Sequence, residues 1–125
     1  MNIQVYLNER KQVMNINFKE MLLTLKGEPL EKLVKKETDE VPVPVALSLG
    51  EACADALLGM TDSDRKESGT DKFKRWQLAS KILEAEKIEL TAEDVTLIKD
   101  RVGKVYGPIS VGPIYNLLEG KPQNG

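Results

Sequence analysis

Histidine is absent from the 125 residues, which removes the commonest neutral-pH base and the commonest transition-metal ligand. Cysteine occurs once, as Cys53, so no internal disulfide forms. No window of about 18 uninterrupted apolar residues offers a membrane-spanning helix. The N-terminus, where Glu9, Arg10 and Lys11 follow a short apolar run, lacks the basic, apolar and small-residue order of a signal peptide. The expected compartment is the cytoplasm, with no membrane partner. A dominant charge is also missing. The net charge is -2, and residues 1 to 46 balance, 47 to 69 are acidic by three, and 70 to 125 are basic by one. Strong attraction to nucleic acid or anionic lipid normally requires a basic excess.

What is present fits one globular domain: 41% hydrophobic and 30% charged residues support a single modest core. The expected fold is mainly α, a small helical bundle of about four helices with a short N-terminal β-hairpin or extended segment. The expected divisions are an N-terminal region and Pro-Val linker over 1 to 46, a helical domain over 47 to 120, and a flexible tail over 121 to 125.

The clearest helix signal begins at Thr91, where Thr91 and Asp94 have capping-box spacing and Leu90 and Val95 can close over them as a staple. Val95, Ile98, Val102, Val105 and Tyr106 then fall on one stripe. Glu93 and Asp94 begin this helix and Lys99, Arg101 and Lys104 lie towards its end, in agreement with the helix dipole. Gly107 and Pro108 give its stop. A preceding helix, roughly 71 to 86, is expected to turn Phe73, Trp76, Ala79, Ile82 and Leu83 inward, with Leu78 and Ala85 widening the face. A last helix, about 111 to 119, carries Val111, Ile114, Tyr115 and Leu118 on one side, admits Pro113 in its first turn and ends at Gly120.

Towards the N-terminus, Ile3, Val5 and Leu7 alternate as in a strand, and the second Met-Asn-Ile at Met14 is a candidate translational start. Ile16 to Leu25 alternates in part, and the turn signal Lys26-Gly27-Glu28-Pro29 suggests a hairpin, with a short helix over 30 to 36 as the competing reading. Val41-Pro42-Val43-Pro44-Val45 is expected to be an extended connector or edge-like segment. Ser48 and Glu51 begin a further helix bearing Leu49, Ala52, Cys53, Ala56 and Met60 on one side and stopping near Gly59.

Candidate chemistry is sparse. Cys53 lies among alanines with no histidine to deprotonate it, so it reads as a small core residue. Asp62 and Asp64 begin like a calcium loop, but Lys66 and Glu67 occupy positions that need an oxygen ligand and a glycine. The helix-turn-helix outline over 91 to 120 has no lysine or arginine between Ser110 and Glu119, so its second helix is poorly equipped to read DNA. No catalytic residue, metal ligand or cofactor site is assigned, and an enzyme is not expected.

One anomaly stands out. Lys72, Lys74 and Arg75 begin the helix near 71 while Glu84 and Glu86 end it, an order that opposes the dipole. With Arg65 and Lys66 these residues form a candidate basic patch, suited to phosphate or an acidic partner, and Trp76 beside them is a candidate anchor for a protein partner or self-association.

The stretches Lys72-Phe-Lys-Arg-Trp-Gln-Leu-Ala-Ser-Lys-Ile82 and Leu90-Thr-Ala-Glu-Asp-Val-Thr-Leu-Ile-Lys-Asp-Arg-Val-Gly-Lys-Val-Tyr-Gly-Pro108, preceded by Leu47-Ser-Leu-Gly-Glu-Ala-Cys-Ala-Asp-Ala-Leu-Leu58, resemble the C-terminal part of small uncharacterised proteins of tailed bacteriophages and prophages. The resemblance spans about residues 47 to 120 and transfers no functional residue. It implies a phage origin, a place in the bacterial host cytoplasm or on the virion, and an assembly or host-interaction role. The expected function is therefore a non-enzymatic protein-interaction module. The alternative is a small nucleic-acid-binding regulator using the basic patch.

Overall fold

The computed structural model describes residues 14 to 85 and 87 to 124. The strand expected over Ile3, Val5 and Leu7 lies outside them. Two antiparallel strand pairs and four α-helices are present among the described residues, a mainly helical small domain.

Strand β1 (Met14–Asn17) pairs with β4 (Lys87–Leu90), with Ile16 opposite Ile88. Strand β2 (Glu31–Val34) pairs with β3 (Val43–Ala46), with Leu33 opposite Pro44. The expected hairpin about Gly27 is thus reduced to a turn, closed by Thr24 N–H donating to Glu28 O at 2.7 Å and flanked by an isolated Leu23–Pro29 bridge. The Pro-Val connector supplies a strand, and residues 31 to 34 are its extended partner instead of the competing helix. Strand β4 was not expected. Its buried Ile88 and Leu90 alternate with exposed Lys87 and Glu89, a four-residue pattern too short to stand out beside the longer helices.

Helix α1 (Leu49–Leu58) starts on Ser48, whose Oγ accepts from the Glu51 amide at 3.2 Å and donates to Glu51 Oε1 at 3.0 Å. Helix α2 (Gly69–Glu84) starts two residues earlier than expected because Ser68 caps it, accepting from Asp71 N–H at 3.1 Å. Helix α3 (Ala92–Val105) has the reciprocal Thr91–Asp94 box, at 3.1 and 3.2 Å. Helix α4 (Pro108–Leu118) begins directly behind it, so Gly107 serves as the N-cap of α4 and the chain leaves α3 through an extended Tyr106. At the other end of α4, Gly120 takes φ of +77°, the left-handed geometry that glycine adopts without Cβ strain. Gly120 N–H donates to Leu117 O at 3.1 Å and Lys121 N–H to Asn116 O at 2.8 Å, closing a Schellman motif.

Helix α1 is the hub, packing against both α2 and α3, while α4 packs on α3. The small residues Ala52, Cys53, Ala54 and Ala56 are buried, which lets neighbouring helices approach. The N-terminal region shares this core: Ile16, Phe18 and Leu22 are buried with Leu49, Leu57, Ile98 and Ile114. Residues 121 to 124, expected as a flexible tail, are tied to it as well. The Gln123 side chain accepts from Leu23 N–H at 2.7 Å and donates to Met21 O at 2.9 Å, replacing a strand partner that the 20 to 24 segment lacks on that edge. No helix among the described residues is long and apolar enough to cross a membrane.

Candidate functional site

Two arginines converge on the C-terminal end of α1. Arg75, from α2, donates through Nη1 to Leu57 O at 2.8 Å and Gly59 O at 2.9 Å. Arg101, from α3, donates to Ala56 O at 3.2 Å and Gly59 O at 2.8 Å. Terminal carbonyls of a helix lack intrahelical partners and carry the negative end of its dipole, so two guanidinium groups satisfy them in bonding and charge. Each arginine also has a carboxylate. Glu67 holds Arg75 through Nε at 3.1 Å and Nη2 at 2.5 Å, and Asp64 holds Arg101 at 2.6 Å. Asp64 lies in a short 3-10 turn (Asp62–Lys66), where its other oxygen accepts from Thr61 N–H at 2.7 Å and Thr61 Oγ1 at 2.9 Å.

Asp64, Arg75 and Arg101 are 3%, 3% and 2% exposed. The Arg101 guanidinium, helped by the Thr61 hydrogen bonds, holds the Asp64 carboxyl well below the usual carboxylate range against the opposing effect of burial. The chemistry of this cluster is consumed in joining α1, α2, α3 and the intervening turn. Arg101 falls on the inward stripe with Ile98 and Val102, and Arg75 on that with Leu78, Ala79 and Ile82. An arginine at core spacing was the available sequence signal for this cluster.

Burial of Arg75 dismantles the expected basic patch. Arg65 is exposed beside Asp62, at 3.6 Å. Lys66, Lys72 and Lys74 are exposed, yet positions two apart on a helix diverge by about 200°, so Lys72 and Lys74 face different ways. Lys74 borders a groove between α2 and α3 that also presents Lys81, Glu93 and Asp94, a surface of mixed sign. The five cations therefore do not form one phosphate-binding face.

The α2 stripe is also corrected. Arg75, Leu78, Ala79 and Ile82 face the core, whereas Phe73, Trp76 and Leu83 are 56%, 56% and 58% exposed. Phe73 and Trp76 stack at 5.9 Å between centroids with planes 10° apart. Leu58, at the end of α1, is 49% exposed and joins Trp76, Ala79, Ser80, Leu83 and Glu84 around a depression of about 260 Å³. The outer side of α2 thus exposes Phe73, Trp76 and Leu83, with Leu58 of α1 beside them.

Cys53 is fully buried, and burial pushes its thiol up to about 12. No group of three acidic or thiol side chains among the described residues is placed to hold a metal ion. The chain matches no protein-family model, no curated protein and no solved structure.

Proposed function

We propose that this chain is a non-enzymatic protein-interaction module of a phage or prophage, serving particle assembly or engaging a host protein, and that the outer side of α2 is its contact surface. The observation that carries the reading is the stacked, half-exposed Phe73–Trp76 pair continued by Leu83 and Leu58. Large aromatics supply much of the binding energy in protein interfaces, and a contiguous exposed apolar patch costs solubility unless something covers it. The phage assignment rests on the sequence resemblance over residues 47 to 120.

The test is paired capture from phage-infected bacterial cells with the wild-type chain and a Phe73→Ser/Trp76→Ser variant. Both side chains point away from the core, so the variant keeps its helical spectrum and its melting temperature within about 3 °C. Loss of an aromatic anchor of this kind weakens binding by roughly 30-fold or more. A partner retained by wild type and lost by the variant is the expected result. Equal retention of the same proteins by both would remove α2 as the contact surface.

A further inference from the structure

The pair formed by β2 and β3 has one closed edge and one open edge. Leu47 N–H donates to Leu30 O at 2.8 Å, in step with the Lys32–Val45 and Val34–Val43 pairs. Hydrogen-bonded and non-hydrogen-bonded pairs alternate along an antiparallel ladder, so the main-chain groups of Leu30, Lys32 and Val34 face β3 and those of Glu31 and Leu33 face away from it. On β3 the same alternation turns Pro44 outward, and proline has no N–H to offer a further strand. The outward edge of β2 keeps its donors. Among the described residues no strand pairs with that edge, and no group outside the β2–β3 pair bonds to the main chain of Glu31 or Leu33.

We propose that this edge pairs antiparallel with the same edge of a second copy of the chain, about a two-fold axis at Leu33, joining the two strand pairs into one four-stranded sheet. The surface is separate from the outer side of α2, and the proposal stands independently of that reading.

Charge selects both the partner and the register. An axis at Leu33 sets Leu33 opposite itself and Glu31 opposite Lys35 of the other copy. Glu31 and Lys35 are exposed, and neither joins an ion pair among the described residues. Within one copy they stand four residues apart, about 13 Å along an extended chain. Across the axis, opposed residues of a hydrogen-bonded pair lie about 5.5 Å apart, close enough for an ion pair. Strand alternation puts Glu31, Leu33 and Lys35 on one side of the strand, so the seam carries a central leucine pair flanked on both sides by opposite charges. An axis at Lys32 would instead set Glu31 opposite Leu33, and an axis at Val34 would set Glu31 opposite Glu37. Isologous pairing requires one surface to supply both members of each contact, and this short strand does.

The edge is also unshielded. Lys32, on the other side of β2, reaches Asp55 of α1 at 3.0 Å, which ties the strand to the helical core by the side that the seam leaves alone. Leu33 is 70% exposed. A lone two-stranded ribbon is only marginally stable, and pairing supplies both its missing neighbour and a cover for this leucine.

A seam of one short strand is smaller than a standard interface, so a dissociation constant of roughly tens to hundreds of micromolar is expected. Sedimentation velocity on the full chain from about 5 µM to about 1 mM should show a monomer converting to a dimer. Over the same range the Leu33 amide, open in the monomer, should come to exchange its hydrogen roughly threefold or more slowly. Glu31→Lys and Lys35→Glu each place two like-charge contacts across the axis and should raise the dissociation constant roughly tenfold. An equimolar mixture of the two variants should recover wild-type association. In a mixed pair one copy carries lysine at both positions 31 and 35, the other carries glutamate at both, and each contact again joins opposite charges. Folding defects cannot produce that recovery. The Phe73→Ser/Trp76→Ser variant should dimerise as wild type does.

A wild-type chain that stays monomeric throughout, or a mixture that associates no better than either variant alone, overturns the proposal. So does a dimer that leaves exchange at Leu33 unchanged, or one that is lost with Phe73 and Trp76, which would assign the pairing to α2. A chain that remains monomeric while a captured protein slows exchange at Leu33 gives the edge to that protein and overturns self-pairing.

Discussion

The interaction between Arg101 and Asp64 sets the stability of the junction behind α1. Removing one member of a buried pair leaves the other charged and without its partner, which is costlier than removing both. Arg101→Met should therefore lower the melting temperature by more than about 8 °C, and adding Asp64→Asn should recover part of that loss. A thermal double-mutant cycle checks the non-additivity; a loss in the double variant equal to the sum of the two single losses would show that the pair contributes little. The same contact fixes a pH dependence. Asp64 is held below its ordinary value by Arg101 and Thr61, so its contribution is fully present above the unfolded carboxyl value near ~3.9. It is lost as pH falls through the lower folded value. Wild type should be more stable than Asp64→Asn at pH 6, with the gap narrowing as the pH drops below about 4. A gap that widens on acidification would contradict the assignment.

Among the elements, α1 is placed by a close approach that its own helical pattern does not announce. Gly50 N–H donates to Phe18 O at 2.8 Å, and a Cβ on Gly50 would meet that oxygen at 3.0 Å and Phe18 Cβ at 3.2 Å. Alanine at position 50 improves helix propensity by up to about 1 kcal/mol in an exposed helix, yet here it must push the 14 to 20 segment off the helix. Gly50→Ala should destabilise by about 1 to 3 kcal/mol in urea unfolding, and a stabilised variant would refute the close packing. This contrast also explains which elements were legible. Thr91, Asp94, Val95, Ile98 and Val102 identified α3 because caps and stripe are local properties. The partner of β1 was hidden because β4 lies some seventy residues away, and pairing at that distance leaves no mark in either strand. In α2 the helix was legible and its orientation was not. Apolar count favoured the side with Phe73 and Trp76, whereas the buried side contains Arg75, whose charge is neutralised by Glu67 and whose donors are taken by the end of α1. The exposure of Trp76 removes it from the core stripe on which the apolar spacing had placed it.

At the scale of the whole molecule, the chain is joined across long sequence distances. Strand β1 pairs with β4, Arg101 reaches Ala56, Gly59 and Asp64, and Gln123 reaches Met21 and Leu23. Such links should make the core open as a unit, and Cys53 provides its probe. The thiol is fully buried in α1, the helix that packs against both α2 and α3, and burial pushes it up to about 12. At pH 8 a disulfide reagent therefore meets neither an accessible sulfur nor an appreciable thiolate until the core opens. If opening is global, modification should be slower than in denaturant by at least about a thousandfold. The logarithm of its rate should also rise in Arg101→Met and Gly50→Ala in proportion to their losses of stability, because both sites would report the same unfolding equilibrium. Rapid modification of the native protein, indifferent to those two substitutions, would instead identify α1 as a locally opening element and refute the single cooperative core.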